Sequence, residues 1–210
     1  MRANYKTVNQ YGESDFVIQK SRFLSFVKRV ETEDEALDFI QDIKKQHHSA
    51  THNCSAYIIG EHDHIQKAND DGEPSGTAGV PILEVLKKQQ LKDTVIVVTR
   101  YFGGIKLGGG GLIRAYGKAA SEGIAATGVV ERRLHLLTKT SIDYTWLGKV
   151  ENEVRQSAYP LKEIVYEEDV GLFLYVPAED EMTFKEWMTE LTNGQAEITT
   201  IRHKFLEFAI

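Results

Sequence analysis

Cysteine is nearly absent from this sequence of 210 residues, in which Cys54 is the single example. A lone cysteine excludes an intrachain disulfide and is typical of proteins in a reducing compartment. Long apolar runs are missing as well: none approaches the roughly 20 residues of a membrane-spanning helix, and the first five residues lack the apolar core of a secretion signal. These absences predict a cytoplasmic protein that is not attached to a membrane.

A strong positive charge is also absent, because 25 Lys and Arg stand against 31 Asp and Glu, for a formal net charge of −6. The charge is unevenly distributed: residues 1–134 are close to neutral at +1, whereas residues 135–210 carry −7. We therefore expect any contact with nucleic acid in the first part of the chain. The acidic second part is expected to face solvent or a protein partner.

The apolar pattern of residues 134–210 predicts a β-α-β-β-α-β unit. Strands are expected at 134–144, 161–166, 170–176 and 197–201, with two helices marked by apolar stripes that include Trp146 and Trp187. This element order is that of a ferredoxin-like domain. We place the boundary so that domains 1–133 and 134–210 result, which makes the fold α+β with two domains.

Residues 1–133 alternate between strand and helix patterns. Strands are expected at 16–18, 23–27, 53–59, 65–68 and 94–99. Thr32 and Glu35 form a capping box that opens a helix, whose buried side is Ala36, Phe39, Ile40 and Ile43. Two further helices are expected from Thr77 or Gly79 to about residue 90, and from about Gly111 to residue 126.

The most informative segment lies between residues 99 and 118. It contains seven of the 17 glycines, four of them consecutive (Gly108, Gly109, Gly110 and Gly111). It also contains the cations Arg100, Lys106, Arg114 and Lys118 and no acidic residue. Exposed backbone N–H groups at the start of a helix, next to positive charge, suit a phosphate group. The glycines are explained equally well by a tight junction between strand and helix.

Two other features of the glycine segment bear on the function that it could have. The spacing of a P-loop is absent, so hydrolysis of a nucleoside triphosphate is not expected. Tyr101, Phe102 and Tyr116 flank the cations, and aromatic rings of this kind can stack on unpaired bases. Core packing is the simpler explanation for Phe102.

A second motif has the composition of a turn and contains Asp70, Asp71, Glu73, Ser75 and Thr77. Oxygen ligands of this kind suit magnesium or calcium, but the spacing matches no EF-hand. Ser75 is a conceivable nucleophile, although nothing in the spacing places a base beside it. We expect the carboxylates to cap backbone groups, and we assign no catalytic residue, no metal and no cofactor.

His47, His48, His52 and Cys54 are residue types that bind zinc, but a second cysteine pair is missing. His52 and Cys54 point to the same face of a predicted strand. We therefore expect Cys54 to be a buried structural residue.

Taken together, residues 70–79 and 98–108 resemble the IMPACT family in its bacterial YigZ/YvyE form, and the family pattern continues through Gly110-Gly111-Leu112-Ile113-Arg114-Ala115-Tyr116. Gly109 stands where a small residue is usual. The resemblance covers essentially the whole chain. It implies an N-terminal domain like the second domain of ribosomal protein S5, followed by a ferredoxin-like domain. That pair is similar to the fourth and fifth domains of elongation factor G, which sit on the ribosome.

The resemblance also implies a role in translation, because eukaryotic relatives restrain a kinase that targets an initiation factor. They do so with an added N-terminal domain that is not expected here. Our leading hypothesis is a non-enzymatic regulator that binds the ribosome or RNA. Its phosphate contacts would come from Arg100, Lys106, Gly108, Gly109, Gly110, Gly111, Arg114 and Lys118. The alternatives are a hydrolase that uses the Asp70–Ser75 loop, with or without a metal, and a protein-interaction module.

Overall fold

The structure, a computed structural model, describes residues 4–210 and divides into two compact units. The N-terminal unit contains Tyr5–Glu131 and Phe208–Ile210, and the C-terminal unit contains Asn4 and Arg132–Glu207. Both units contain helices and strands, so the mixed α/β class is confirmed.

The N-terminal unit is built from six strands and three helices. The strands are β1 (Tyr5–Val8), β2 (Tyr11–Ile18), β3 (Ser21–Arg29), β4 (His52–Ile59), β5 (Ile65–Asn69) and β6 (Thr94–Tyr101). The helices are α1 (Glu33–Gln46), α2 (Gly79–Lys88) and α3 (Gly108–Thr127). Five of the strands form an antiparallel sheet in the order β2-β3-β6-β4-β5.

The sheet is covered on both faces, which explains the continuous apolar run in β6. Val95 and Val97 pack into the cluster formed with α1, whereas Ile96 and Val98 pack into the cluster formed with α2 and α3. A central strand buried on both sides needs apolar residues at every position rather than at every second one. The next even-numbered residue, Arg100, is therefore directed to the side of α2 and α3.

The start of α1 has the predicted capping box. The Thr32 hydroxyl accepts a hydrogen bond from the Glu35 N–H at 3.3 Å, and the Glu35 carboxylate accepts one from the Thr32 N–H at 3.3 Å. The predicted buried face is also confirmed, with Ala36, Phe39, Ile40 and Ile43 all buried.

The C-terminal unit has the predicted element order. It consists of β7 (Val129–Ile142, which begins in the N-terminal unit), α4 (Tyr144–Gln156), β8 (Leu161–Tyr166), β9 (Val170–Pro177), α5 (Glu181–Leu191) and β10 (Glu197–Ala209). Strand β9 lies between β7 and β8 and is antiparallel to both, and β10 also pairs with β7. No helix of residues 4–210 has the length and apolar character required to cross a membrane.

One strand was not predicted, and several boundaries differ from the predictions: for example, β2 begins at Tyr11 rather than at residue 16, and β7 begins at Val129 rather than at residue 134. Strand β1 was not predicted, because its four residues are too few to show an alternating pattern. Strand β10 continues to Ala209 rather than ending near residue 201, since Arg202, His203 and Lys204 are exposed strand residues that hide the apolar pattern. Helix α3 begins at Gly108 rather than near Gly111.

Candidate functional site

The end of β6 places Arg100 in a row of side chains that crosses the sheet. Arg100 lies opposite Phe23 of β3 on one side and opposite His52 of β4 on the other. Residues that are directly opposite in a sheet share one face. This row therefore faces α2 and α3, and the Arg100 guanidinium lies 5.6 Å from the centre of the Phe23 ring.

A buried ion pair joins β6 to the turn before α2. The Arg100 Nη1 lies 2.7 Å from Oε1 of Glu73, and the two side chains are only 6% and 3% exposed. The same carboxylate oxygen accepts a hydrogen bond from the Tyr116 hydroxyl of α3 at 2.7 Å. Burial, together with the nearby Cys54 thiol and Glu73 carboxylate, raises the pKa of Tyr116, so the hydroxyl remains a donor. Three distant segments are tied together at one carboxylate.

The second carboxylate oxygen of Glu73, Oε2, has no partner among the described residues as close as those of Oε1. Its nearest cationic or imidazole group is Nε2 of His52 at 3.8 Å, which exceeds hydrogen-bond distance. The other ring nitrogen, Nδ1 of His52, is hydrogen-bonded to the carbonyl oxygen of Asp71 at 2.8 Å. The tautomer that donates at Nδ1 therefore leaves Nε2 as an acceptor.

The Asp70 carboxylate holds the turn and the start of α2 together through hydrogen bonds to the backbone. Its carboxylate accepts hydrogen bonds from the N–H groups of Gly76, Ala78 and Gly79 at 2.8, 3.1 and 2.8 Å. Burial acts to raise the pKa of Asp70, but these three donors outweigh it and the pKa lies below its ordinary value. Asp70 thus caps α2, as expected of an acidic residue in a turn.

The other side chains of this motif are either bonded to groups of the same chain or exposed. Asp71 accepts from the N–H of Asn53 at 2.7 Å and pairs with Nζ of Lys44 at 2.6 Å. The Thr77 hydroxyl donates to the carbonyl oxygen of Pro74 at 2.6 Å, and Ser75 is exposed. Within residues 4–210, no group of three or more His, Cys, Asp or Glu side chains is arranged to hold a metal ion.

The four consecutive glycines form the first turn of α3, so the prediction that they precede the helix is wrong. The residue before the helix, Leu107, provides no side-chain cap, and the first turn contains no acidic residue. A glycine is required at Gly108, where φ is +70°, a backbone conformation that other residues rarely adopt. A Cβ at Gly108 or Gly109 would meet no atom within 4 Å, so the turn borders open space.

A pocket of about 400 Å³ brings the two motifs together. Glu73 and Pro74 line it from the acidic turn, and Arg100, Phe102, Lys106, Leu107, Gly108 and Gly109 line it from the glycine segment; Thr51, His52 and Leu112 complete it. Its size lies within the range of about 300–1,000 Å³ that is usual for small-ligand sites. Residues of both motifs therefore line one cleft.

The four predicted cations lie in different surroundings. Arg100 is buried and paired with Glu73, whereas Lys106 is exposed, lines the pocket and forms no ion pair within residues 4–210. Arg114 is exposed, and its Nη1 would lie 3.6 Å from a Cβ placed on Gly110, so it extends back over the first turn. Lys118 does not line the pocket: it lies over the Phe16 ring at 4.4 Å and within 3.6 Å of Glu122.

Three aromatic side chains near the pocket also differ. Tyr116 is fully buried, and Tyr101 is hydrogen-bonded through its hydroxyl to Nδ1 of His47 at 2.9 Å. Phe102 is 44% exposed, so the interpretation of Phe102 as a core residue is wrong. Its N–H donates to the Thr51 hydroxyl, which holds the ring at the pocket rim beside the Arg100 guanidinium.

Cys54 is a buried structural residue, as predicted. It is fully buried in the N-terminal core, and its thiol donates to the carbonyl oxygen of Asp70 at 3.0 Å. Burial raises the pKa of Cys54 to about 12, so the thiol is not an activated nucleophile.

The contributions of Thr51 and Ser21 were missed by sequence reasoning. Oγ of Ser21 accepts from the Gly103 N–H at 3.2 Å and lies 3.4 Å from Nη2 of Arg100, which anchors the glycine segment to β3. A Cβ at Gly103 would lie 2.1 Å from the Lys20 backbone, so only glycine fits there. No local pattern marks these residues, because only the register of the sheet brings them to Arg100.

Both motifs lie within a part of the chain that matches a known family. Residues 19–124 match the Impact N-terminal domain, and residues 140–195 match a domain of unknown function, DUF1949. IMPACT family member YvyE of Bacillus subtilis is 63% identical over all of this chain and 97% of its own length. IMPACT family member YigZ of Escherichia coli is 30% identical, over 88% of this chain and 91% of its own.

A solved structure described as that of a hypothetical protein has a TM-score of 0.60 and 25% identity, covering 96% of this chain and 99% of its own. The site and these matches define a two-domain protein with an Impact N-terminal domain followed by a DUF1949 domain. The chain belongs to the IMPACT family.

Proposed function

We propose that this protein is a non-enzymatic regulator of translation that binds the phosphate groups of ribosomal or other RNA in the cytoplasm. The observation that carries the proposal is the first turn of α3. Within residues 4–210 this turn consists of four glycines, Leu107 before it provides no side-chain cap, it contains no acidic residue, and Lys106 lies beside it. A helix start of this kind attracts an anionic group.

The architecture supports the same function. We infer that the N-terminal unit resembles the second domain of ribosomal protein S5. We infer that the C-terminal unit is ferredoxin-like, because its strands lie in the order β8-β9-β7 with β10 also on β7. That pair of folds is similar to two ribosome-bound domains of elongation factor G. Membership of the IMPACT family is consistent with a regulatory role.

The charge distribution favours the N-terminal unit as the RNA-binding part. Residues 135–210 carry a formal charge of −7, which opposes a broad contact with phosphates. A protein partner with basic residues suits that surface better. The RNA contact is therefore confined to the neighbourhood of Lys106, Arg114 and the glycine turn.

A hydrolase that uses the Asp70–Ser75 loop receives less support from the geometry. The Asp70 and Asp71 carboxylates are occupied by backbone donors and Lys44, and Ser75 does not line the pocket. A nucleophile needs a base within hydrogen-bond reach. We therefore retain RNA binding as the function to be tested first.

The test is co-sedimentation with ribosomes and binding of ribosomal RNA at low and high salt. Lys106→Glu and Arg114→Glu are compared with Lys118→Glu, a charge reversal on the same helix but outside the pocket. The logarithm of the affinity falls linearly with the logarithm of the salt concentration. Each lost phosphate contact should make that slope shallower by about 1. Equal, salt-insensitive binding by the wild type and all three variants would contradict the proposal.

A further inference from the structure

The ion pair that lines the pocket has one carboxylate oxygen whose bonding capacity is not filled within residues 4–210. Oε2 of Glu73 accepts no hydrogen bond there, although the side chain is 3% exposed. Buried polar side chains nearly always have a partner in a protein or its ligand. The unfilled acceptor on Glu73 thus matches a ligand that offers a hydrogen-bond donor.

Apolar side chains line the walls of the pocket. A phosphate group alone would not need apolar walls. Pro74, Leu107 and Leu112 line it together with Phe102, whose ring stays 44% exposed. A flat ring that lies against an exposed aromatic side chain is stabilised by stacking. The walls therefore match a planar group with a polar edge.

The mouth of the same pocket is suited to an anion. Gly108 and Gly109 of the first turn of α3 line it, and so does Lys106, which forms no ion pair within residues 4–210. The ligand that matches all three features has a phosphate at one end and a planar ring with a hydrogen-bond donor at the other.

We propose that the pocket binds one unstacked nucleotide, with its phosphate on the first turn of α3 and Lys106, and its base between Phe102 and the Glu73–Arg100 pair. This inference rests on the proposed function and adds to it the contact with a base. The bases of a duplex are paired and stacked, so the pocket selects single-stranded RNA. The source of the nucleotide is the RNA chain rather than a free mononucleotide.

The experiment measures binding by fluorescence anisotropy for four probes. They are a short oligouridylate, an oligomer of abasic units with the same number of phosphates, a fully paired RNA hairpin and uridine monophosphate. The wild type is expected to bind the oligouridylate about tenfold more tightly than the abasic oligomer, from one stacked base. The hairpin and the mononucleotide are expected to bind more weakly than the oligouridylate.

Two variants separate stacking from general loss of an apolar side chain. Phe102→Ala should reduce the preference for oligouridylate over the abasic oligomer from about tenfold to less than about twofold. Ile105→Ala is the matched control, because Ile105 is 43% exposed in the same segment but does not line the pocket. It should leave the preference unchanged, and both variants should remain folded by circular dichroism.

The possible failures are distinguishable. Equal binding of the oligouridylate, the abasic oligomer and the hairpin, with normal salt dependence, would overturn the nucleotide pocket but leave phosphate binding intact. Mononucleotide binding as tight as that of the oligouridylate would overturn RNA as the source. Absence of salt-dependent binding to any RNA would overturn the proposed function itself.

Discussion

The turn before helix α2 and the start of helix α3 line the same pocket, but the N-termini of the two helices differ in how they are capped. At α2 the Asp70 carboxylate accepts from the N–H groups of Ala78 and Gly79, so the chain supplies its own anion. At α3, within residues 4–210, the preceding Leu107 provides no side-chain cap, and the first turn contains no acidic residue. Both ends have the same partial positive charge. One terminus is therefore capped by a carboxylate of the same unit, and the other is the one to which we propose that a phosphate group binds.

The comparison also shows what the carboxylates of the acidic motif do in the folded chain. Asp70 and Asp71 bond to the backbone or to Lys44, and Glu73 neutralises Arg100. These carboxylates hold the turn, α2 and β6 together. The glycine turn, which contains no charged residue of its own, is the part that stays open.

The largest expected effect comes from the ion pair that links the two motifs. Glu73→Ala leaves the Arg100 charge buried without a partner, so the free energy of unfolding should fall by about 3–5 kcal/mol in urea denaturation. Glu84→Ala, an exposed position on α2, should change it by less than about 0.5 kcal/mol.

A double substitution sharpens this test. Glu73→Leu combined with Arg100→Met removes both charges, and it should recover most of the stability lost in Glu73→Ala. If Glu73→Ala alone were neutral, the carboxylate would not hold the two motifs together.

The next effect is the loss of the internal cap of α2. Asp70→Ala removes the acceptor for three N–H groups, and the free energy of unfolding should fall by about 2–3 kcal/mol. The control is Ser75→Ala, an exposed position in the same turn, which should be neutral within about 0.5 kcal/mol. Equal stabilities of the two variants would remove the distinction between the α2 and α3 termini.

The contribution of Asp70 should also depend on pH in a defined direction. Its pKa in the folded protein is held below its ordinary value of 3.8 by the three N–H donors. Its stabilising effect is therefore present above pH 3.8 and is lost as the pH falls through the folded pKa. The difference in unfolding free energy between the wild type and Asp70→Ala should shrink in that acidic range, and an increase there would contradict the assignment.

The smallest effect concerns the open terminus. Gly109→Ala meets no atom within 4 Å and has no positive φ, so it should raise the free energy of unfolding by up to about 1 kcal/mol. Gly104→Ala also has open space, but its φ of +86° is strained for alanine, so it should lower stability by about 1 kcal/mol. Thermal unfolding of both variants distinguishes the helical turn from a loop, in which Gly109→Ala would bring no gain.

Local patterns were sufficient for most of the fold. The capping box at Thr32, the buried side of α1, the strands β4 and β5 and the order of elements in the C-terminal unit are all present as predicted. Each depends on a period or spacing within a few residues, which the physics of one helix or strand determines. The start of α3 was placed too late, because four glycines have a low helix propensity that the packing of the following residues overcomes.

The sequence by itself determined most of the elements of this protein, the two motifs and the absence of acidic residues around the glycines. Only the tertiary structure decided that Glu73 meets Arg100 and Tyr116, that His52 lies opposite Arg100, and that Phe102 is exposed at the pocket rim. The two contacts of Glu73 join residues 27 and 43 positions apart in sequence. The physical reason is that side-chain periodicity is local, whereas sheet register and helix packing depend on the whole core.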